Sequence, residues 1–254
     1  MWGMTKLPVV LLHAFPLDSR MWNRVREPLA EHTRLITPDQ RGLGRTRLPE
    51  TDRAPSLDDA AMDVLAMLDK LELDKVVLGG CSMGGYLTMA VLRAAPERIG
   101  GLVLIDTKAG ADTPGASANR LSVADRAEAE GGTGWLATTM LPKLLSVGTR
   151  YRRPDLVETV RDQIESQPPS GVAWAQRAMA ARPDSTEALR AARVPALVLV
   201  GQEDSVTPPE QAGTMAEALP EAEFVEVPRA GHLSPLEEPA AVIDAVTGWY
   251  RARF

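Results

Sequence analysis

The sequence predicts an α/β fold with a mainly parallel sheet and helices on both of its faces. Short apolar runs rich in β-branched residues alternate with amphipathic helical segments along most of the chain, as in parallel α/β proteins. A glycine-rich turn at residues 80–84 joins one such run to a helical segment. A long stretch, residues 107–192, has no convincing buried strand and contains several helical segments, which indicates a separate helical layer.

The first predicted strand covers residues 9–12 and ends at His13, which we interpret as a residue that braces the following turn. Asp18 or Ser19 can cap the next helix, and its apolar face carries Met21, Trp22, Val25 and Leu29. A second short strand is predicted at residues 35–37.

A charged turn with two glycines follows at residues 39–46. It is not a G-x-G-x-x-G, and no helix start follows it, so nucleotide binding is rejected. We interpret it as a tight turn fixed by Asp39 and Arg41. A helix is then predicted from Ser56, which begins a capping-box pattern, through Leu71.

The turn Gly80-Cys81-Ser82-Met83-Gly84 follows a strand predicted at residues 76–78 and precedes a helix that Pro96 ends. G-x-S-x-G alone is a weak signal, and a glycine-rich turn with an incidental serine is the alternative. Between a strand and a helix, the turn holds its central residue in a strained conformation, so Ser82 Oγ projects from the carboxyl edge of the sheet. The N–H of Met83 would point the same way, at a helix N-terminus that favours negative charge.

Residues 107–192 are predicted to form an all-helical cap, inserted into a core that spans residues 1–106 and 193–254. Helical segments are expected near residues 120–130, 134–145, 156–166 and 172–181. Five apolar side chains of the cap could line a substrate pocket or could instead pack the cap onto the core: Trp135, Met140, Leu141, Trp174 and Met179.

The chain ends with two more predicted strands, at residues 196–200 and 224–227, and a helix after each. Asp204 follows the first strand and His232 follows the second. The carboxyl ends of parallel strands meet at one edge of a sheet, so these two residues are expected beside Ser82. Their chain order, serine, aspartate, histidine, is the order that a nucleophile-elbow architecture requires.

Ser82, His232 and Asp204 are therefore predicted to form a catalytic triad. A serine hydroxyl is a poor nucleophile at neutral pH, but His232 can take its proton, and Asp204 can orient the imidazole. The backbone N–H groups of Phe15 and Met83 are the candidates for an oxyanion hole. Asp106, which also follows a strand, and Glu203 are alternatives for the triad acid.

The composition excludes some function classes. Lys and Arg number 28 against 34 Asp and Glu, and no basic run is present, which argues against a nucleic-acid surface. Cys81 is the only cysteine, so no intrachain disulfide can form and a reducing, cytoplasmic location is the default expectation. We interpret Cys81 as a small buried residue. No apolar run approaches membrane-spanning length, so membrane insertion is not expected.

Together these motifs resemble the α/β-hydrolase superfamily, in its branch of small serine esterases and enol-lactonases. The resemblance spans essentially the whole chain and rests on residues 13–16, 39–44, 80–85, 201–204 and 231–232. It implies about six strands rather than eight, because the usual antiparallel hairpin before the first strand is missing. Ala14 stands where relatives usually have glycine. The resemblance also implies acyl transfer to water through an acyl-serine intermediate, with no cofactor and no metal.

The reaction expected from this resemblance is hydrolysis of a small or medium carboxylic ester or lactone. A serine nucleophile speaks against dehalogenase and epoxide-hydrolase activity, for which relatives carry aspartate. Alternatives on the same fold are a cofactor-free perhydrolase or haloperoxidase and a C–C bond hydrolase. A small-molecule receptor that retains the triad is an alternative of another class. The sequence leaves open which substrate is used and whether a homo-oligomer forms.

Overall fold

A computed structural model describes residues 6–254 of the chain. Its strands are β1 (Val9–Leu12), β2 (Leu35–Ile36), β3 (Val76–Cys81), β4 (Ile99–Ile105), β5 (Ala196–Gly201) and β6 (Ala222–Val227). They form one sheet in the order β2-β1-β3-β4-β5-β6, and every neighbouring pair is parallel. The predicted fold class is therefore confirmed, including the number of strands.

The central strand β3 extends three residues beyond the predicted run, through Cys81. Gly79 and Gly80 pair with β1, and residues 79–81 pair with β4, so a glycine-rich stretch becomes strand through its neighbours. β1 lies between β2 and β3 in the sheet. From β1 the chain goes to the edge strand β2 and then returns to the other side of β1 as β3, so the direction of the strand order reverses at β1. A parallel sheet binds ligands at such a point, outside the carboxyl ends of its strands.

Helices cover both faces of the sheet. The helices of the core are α1 (Asn23–Ala30), α2 (Leu57–Lys70), α3 (Met83–Ala94), α10 (Pro209–Ala218), α11 (Ser234–Glu237) and α12 (Pro239–Arg253). One face carries α1 packed on α12, and the other carries α2 packed on α3. A 3-10 helix, Ser19–Trp22, precedes α1, and Asp18 caps it by accepting a hydrogen bond from the Arg20 N–H.

The segment between β4 and β5 is helical, as predicted. It contains α4 (Pro114–Glu130), α5 (Gly134–Leu144), α6 (Val147–Arg152), α7 (Pro154–Glu165), α8 (Pro169–Ala180) and α9 (Thr186–Ala191). The six-residue helices α6 and α9 were not predicted, because so short a segment shows no clear 3.6-residue period. The last helix, α9, packs on α3 and α10 of the core. The domain boundaries at residues 106 and 193 stay a prediction.

The cap packs against the charged turn at residues 39–46. At the start of α8, Gly171 lies so close to Gly42 that a Cβ on Gly171 would overlap the Gly42 carbonyl. Asp39 fixes this turn as predicted, accepting hydrogen bonds from the N–H groups of Ser19 and Arg45. Arg41 pairs with Asp63 of α2, which anchors the turn to that helix.

Residues 6–8 precede β1 and form no strand. The predicted absence of a leading hairpin also concerns residues 1–5, which lie outside the described part of the chain. Between residues 6 and 254, no helix is both long and apolar enough to cross a membrane.

Candidate active site

Ser82 lies on a sharp turn between β3 and α3. Its backbone has φ 54° and ψ −113°, a conformation that L-residues adopt only under constraint. Glycines on both sides permit the turn, because a Cβ on Gly80 would overlap Gly84 and a Cβ on Gly84 would overlap the Leu12 carbonyl. The N–H of Ser82 still bonds the Ile105 carbonyl at 2.9 Å, so the turn stays attached to β4.

The side chains of Ser82, His232 and Asp204 meet at the carboxyl edge of the sheet. His232 Nε2 lies 2.8 Å from Ser82 Oγ, and His232 Nδ1 lies 2.8 Å from Asp204 Oδ2. The remaining acceptor positions of Asp204 are filled by the N–H groups of Val206 and Thr207 and by the Thr207 hydroxyl, at 2.8 to 3.0 Å. The structure therefore brings together the three predicted side chains in one hydrogen-bonded chain.

The electrostatics of this chain stabilise positive charge on His232 and negative charge on Asp204. Burial lowers the pKa of His232, but the charge and hydrogen bond of Asp204, together with the charges of Asp106 and Glu237, raise it, and the net pKa lies above its ordinary value. Burial would raise the pKa of Asp204, and the opposing charge and hydrogen bond of His232 lower it below its usual value. Each partner thus stabilises the ionised form of the other.

The two alternative acids lie elsewhere. Asp106 Oδ1 accepts from the Gly201 N–H at 2.8 Å, and Oδ2 accepts from the Ser234 N–H and hydroxyl at 2.9 and 2.7 Å. Burial and the nearby charge of Asp204 raise the pKa of Asp106 to about 7. Glu203 is exposed to solvent. Asp204 is the acid that the structure places against His232 Nδ1.

The two predicted oxyanion donors have free N–H groups. Within residues 6–254, neither the Phe15 N–H nor the Met83 N–H donates to a protein acceptor. The N–H of Ala14 is directed elsewhere, to Met21 Sδ at 3.0 Å. The role of the Phe15 and Met83 N–H groups as an oxyanion hole stays a prediction.

His13 is fully buried and holds the loop that carries Phe15. Its Nδ1 lies 3.0 Å from the Ala14 carbonyl, and its Nε2 accepts the Gln40 N–H at 2.9 Å. Burial lowers the pKa of His13, so the ring is neutral, with its proton on Nδ1 and Nε2 free to accept. This arrangement agrees with the bracing role inferred from the sequence.

The five predicted pocket residues lie on two cap helices, α5 and α8. Trp174 and Met179 on α8 and Leu141 on α5 are buried, whereas Trp135 and Met140 are half-buried. Trp135 donates its indole N–H to the Gly132 carbonyl and carries the Arg126 guanidinium 4.0 Å above its ring. These contacts tie Trp135 to the cap itself, and the pocket role of all five stays a prediction.

Four polar residues near the triad were missed by the sequence analysis. Thr207 bonds Asp204, and the hydroxyl of Thr107 donates to the Ser82 carbonyl at 2.8 Å. Ser234 bonds Asp106, and Glu237 bonds the Gly231 N–H at 2.9 Å. The three-residue spacing of Asp204 and Thr207 is a local turn signal from which the Thr207 contact could have been predicted. The other contacts join distant segments and leave no local pattern.

Cys81 is fully buried beside the triad. Its Sγ lies 3.8 Å from Asp106 Oδ2 and 3.8 Å from the His232 carbonyl. Burial, together with the charges of Asp106 and Asp204, raises the pKa of the thiol well above its usual value. Burial and the raised pKa both favour the protonated thiol, which is a poor nucleophile. Within residues 6–254, no three His, Cys, Asp or Glu side chains form a cluster suited to a metal ion.

Comparison with known proteins places these features in a family. The family model for the alpha/beta hydrolase fold matches residues 8–239. An esterase from Thermogutta terrifontis, solved with malate bound, is 44% identical with a TM-score of 0.93, and the match covers 97% of this chain and 90% of that one. The 3-oxoadipate enol-lactonase 1 of Acinetobacter baylyi is 28% identical over 96% of this chain and 88% of its own. A proposed non-heme bromoperoxidase of Mycobacterium tuberculosis is 27% identical over 96% of this chain and 93% of its own.

Proposed function

The chain belongs to the α/β-hydrolase family, and we propose that it is a serine hydrolase that cleaves small or medium carboxylic esters or lactones. The observation that carries this proposal is the unbroken hydrogen-bonded chain from Ser82 Oγ through the His232 imidazole to the Asp204 carboxylate, with both contacts at 2.8 Å. That chain activates a hydroxyl for attack on an acyl carbon.

In the acylation half of the proposed reaction, Ser82 Oγ attacks the carbonyl carbon of the ester. His232 Nε2 takes the Oγ proton as the new C–O bond forms, and the carbonyl electrons move onto the oxygen. The tetrahedral intermediate then collapses, and the alcohol oxygen leaves with the proton from Nε2. In a lactone the leaving alcohol remains tethered to the acyl group. Asp204 keeps the Nδ1 proton in place and stabilises the imidazolium.

Deacylation repeats these steps with water. Water gives a proton to His232 Nε2 and attacks the acyl-serine carbon. As the second tetrahedral intermediate collapses, the bond to Ser82 Oγ breaks, the Nε2 proton passes to Oγ, and the carboxylic acid is released. No redox change and no co-reactant other than water is needed.

The free N–H groups of Phe15 and Met83 are proposed to stabilise the oxyanion of both tetrahedral intermediates. Met83 is the first residue of α3, so its N–H adds the partial positive charge of a helix N-terminus. Loss of one such donor costs roughly 10²–10³ in rate in serine hydrolases.

An ester or lactone as substrate is supported by the identities of the relatives. The esterase and the enol-lactonase both match nearly the whole chain, cap included. Because Ser82 is only 8% exposed, we expect acyl chains of limited length to reach it. We propose that five cap residues line the acyl pocket and limit the chain length: Trp135, Met140, Leu141, Trp174 and Met179.

The similarity to a proposed bromoperoxidase supports one second candidate, cofactor-free perhydrolysis. In that reaction hydrogen peroxide would replace water as the attacker of the acyl-serine, releasing a peracid that oxidises halide. The same triad would serve both reactions, so the two differ in which nucleophile deacylates the enzyme. Peroxide-dependent bromination in acetate buffer, compared with ester hydrolysis at matched enzyme concentration, separates them.

The test of the leading proposal is hydrolysis of p-nitrophenyl esters from acetate to decanoate, and of a series of lactones, by the wild type and Ser82→Ala. We expect turnover that peaks at one chain length and is lost in the variant. Inactivity of the wild type on every ester and lactone would refute the proposal. Activity that Ser82→Ala retains would refute the mechanism.

A further inference from the structure

Glu237 joins the cap to the segment that carries His232. Its Oε1 accepts the Gly231 N–H at 2.9 Å, and its Oε2 accepts the Ser146 N–H at 2.9 Å. Gly231 directly precedes His232, and Ser146 lies between α5 and α6 of the cap. The Glu237 side chain is buried, so both bonds are shielded from water.

Two further contacts join the cap to the segment that precedes His232. Ser146 Oγ donates to the Arg229 carbonyl at 3.2 Å. A Cβ built on Gly231 would lie only 2.7 Å from the Ser146 nitrogen and 3.2 Å from the Leu145 carbonyl carbon. The cap therefore touches the main chain immediately before His232, and one carboxylate bonds both sides of that contact.

The other side of His232 is held separately. The N–H and hydroxyl of Ser234 donate to Asp106, which also accepts the Gly201 N–H near Asp204. Residues 231–234 are thus fixed at one end to the sheet and at the other end, through Glu237, to the cap.

We propose that Glu237 is a positioning residue for His232, and that it fixes the imidazole only while the cap backbone at Ser146 is in place. This inference rests on the proposed function, in which His232 transfers the proton. It assigns the cap a part in the geometry of the proton transfer, in addition to any part in binding substrate.

A carboxylate is required at this position because it faces two N–H donors and can accept from both. Glutamine has nearly the same shape, but its NH₂ group would face one of these donors and lose that bond. The Glu237→Gln variant therefore removes one tether without changing side-chain volume. Glu238→Gln is the matched control, since Glu238 is the next residue and its partner is the exposed Arg229.

Active sites are first counted by labelling with a fluorophosphonate, and ester hydrolysis is then measured per labelled site. For Glu237→Gln we expect kcat to fall roughly 10- to 100-fold, the scale of a small misplacement of a catalytic group. KM should change far less, and Glu238→Gln should match the wild type. Thermal melting is recorded in parallel, because a purely structural role would lower stability and leave kcat per labelled site unchanged.

A second pair of variants tests the cap side of the tether. Ser146 has φ −57° and Leu145 has φ −117° and ψ 139°, which suit a proline and the residue before it. Ser146→Pro removes the N–H that Glu237 accepts, whereas Ser146→Ala keeps the N–H and removes only the hydroxyl. We expect Ser146→Pro to lower kcat well below that of Ser146→Ala.

The proposal is overturned if Glu237→Gln and Ser146→Pro both turn over at the wild-type rate per labelled site. If Glu237→Gln fails to fold, the comparison of Ser146→Pro with Ser146→Ala decides alone. A wild-type protein that neither reacts with the fluorophosphonate nor cleaves any ester would instead refute the proposed function on which this inference rests.

Discussion

The carboxylate of Asp106 accepts hydrogen bonds from both the N–H and the hydroxyl of Ser234, at 2.9 and 2.7 Å. Asp106 follows the strand beside the Ser82 turn and has the right residue type for a triad acid. Its acceptor positions are used to hold the main chain two residues after His232. Asp204, one strand further along the sheet, contacts the imidazole itself.

Because Asp204 and Asp106 have different partners, two isosteric substitutions should lower kcat by different amounts. Asp204→Asn should lower kcat by about 10⁴, because an amide in that position favours the wrong imidazole tautomer. Asp106→Asn should keep the Asp204–His232 contact and lose far less activity per folded molecule, while its melting temperature falls because a buried acceptor is lost. Ester hydrolysis and thermal melting of both variants provide the check. A larger kcat loss in Asp106→Asn would assign the acid role to Asp106.

The raised pKa of His232 predicts the pH dependence of the reaction. The imidazole must be neutral to take the Ser82 proton, so kcat/KM should rise with pH as the imidazolium deprotonates. Because Asp204 raises the pKa of His232, the inflection of the wild type should lie above the ordinary histidine value of 6.5. Asp204→Asn removes the charge that stabilises the imidazolium, so its weak residual activity should show an inflection at lower pH. An inflection that stays in place would mean that another group titrates.

The environment of Cys81 predicts that the thiol takes no part in the chemistry. Iodoacetamide should not alkylate the native protein at pH 8, because the thiol is buried and its pKa is well above the usual value. Cys81→Ala should keep ester hydrolysis while Ser82→Ala loses it. Mass spectrometry with and without denaturant measures the alkylation. Rapid native alkylation accompanied by loss of activity would contradict this interpretation.

The close contact between Gly171 and Gly42 predicts that one added methyl group where the cap packs against the turn will lower the stability of the protein. Gly171→Ala should destabilise the protein by roughly 1–3 kcal/mol, since the new Cβ overlaps the Gly42 carbonyl. Gly213→Ala in α10 is the control, because a Cβ there meets nothing within 4 Å and should stabilise the helix by about 0.5–1 kcal/mol. Denaturant unfolding measures both variants. Equal stabilisation by the two substitutions would show that the cap can move to accept the methyl group.

Much of the fold could be predicted from the sequence, because its strands are short apolar runs separated by clear helix signals. The triad residues could be found because each follows a strand in the required order, and the Ser82 turn carries its own glycine pattern. The prediction of β3 ended too early, since residues 79–81 become strand only through pairing with β1 and β4.

The supporting contacts could not be found in the same way. Glu237 bonds Ser146, which is 91 residues away, and Asp106 bonds Ser234, which is 128 residues away. Neither pair produces a local spacing or periodicity. The partner of Arg41 in the turn at residues 39–46 could not be identified for the same reason, because it is Asp63 on α2.

The central claim is that an acyl group is transferred to Ser82 Oγ. The most direct measurement is mass spectrometry of the peptide that contains Cys81 and Ser82 after rapid acid quenching of the enzyme mixed with p-nitrophenyl butyrate. We predict a butyryl adduct on Ser82 that forms within one turnover, decays as substrate is exhausted and is absent from Ser82→Ala. Turnover without any adduct, or an adduct on Cys81, would contradict the account.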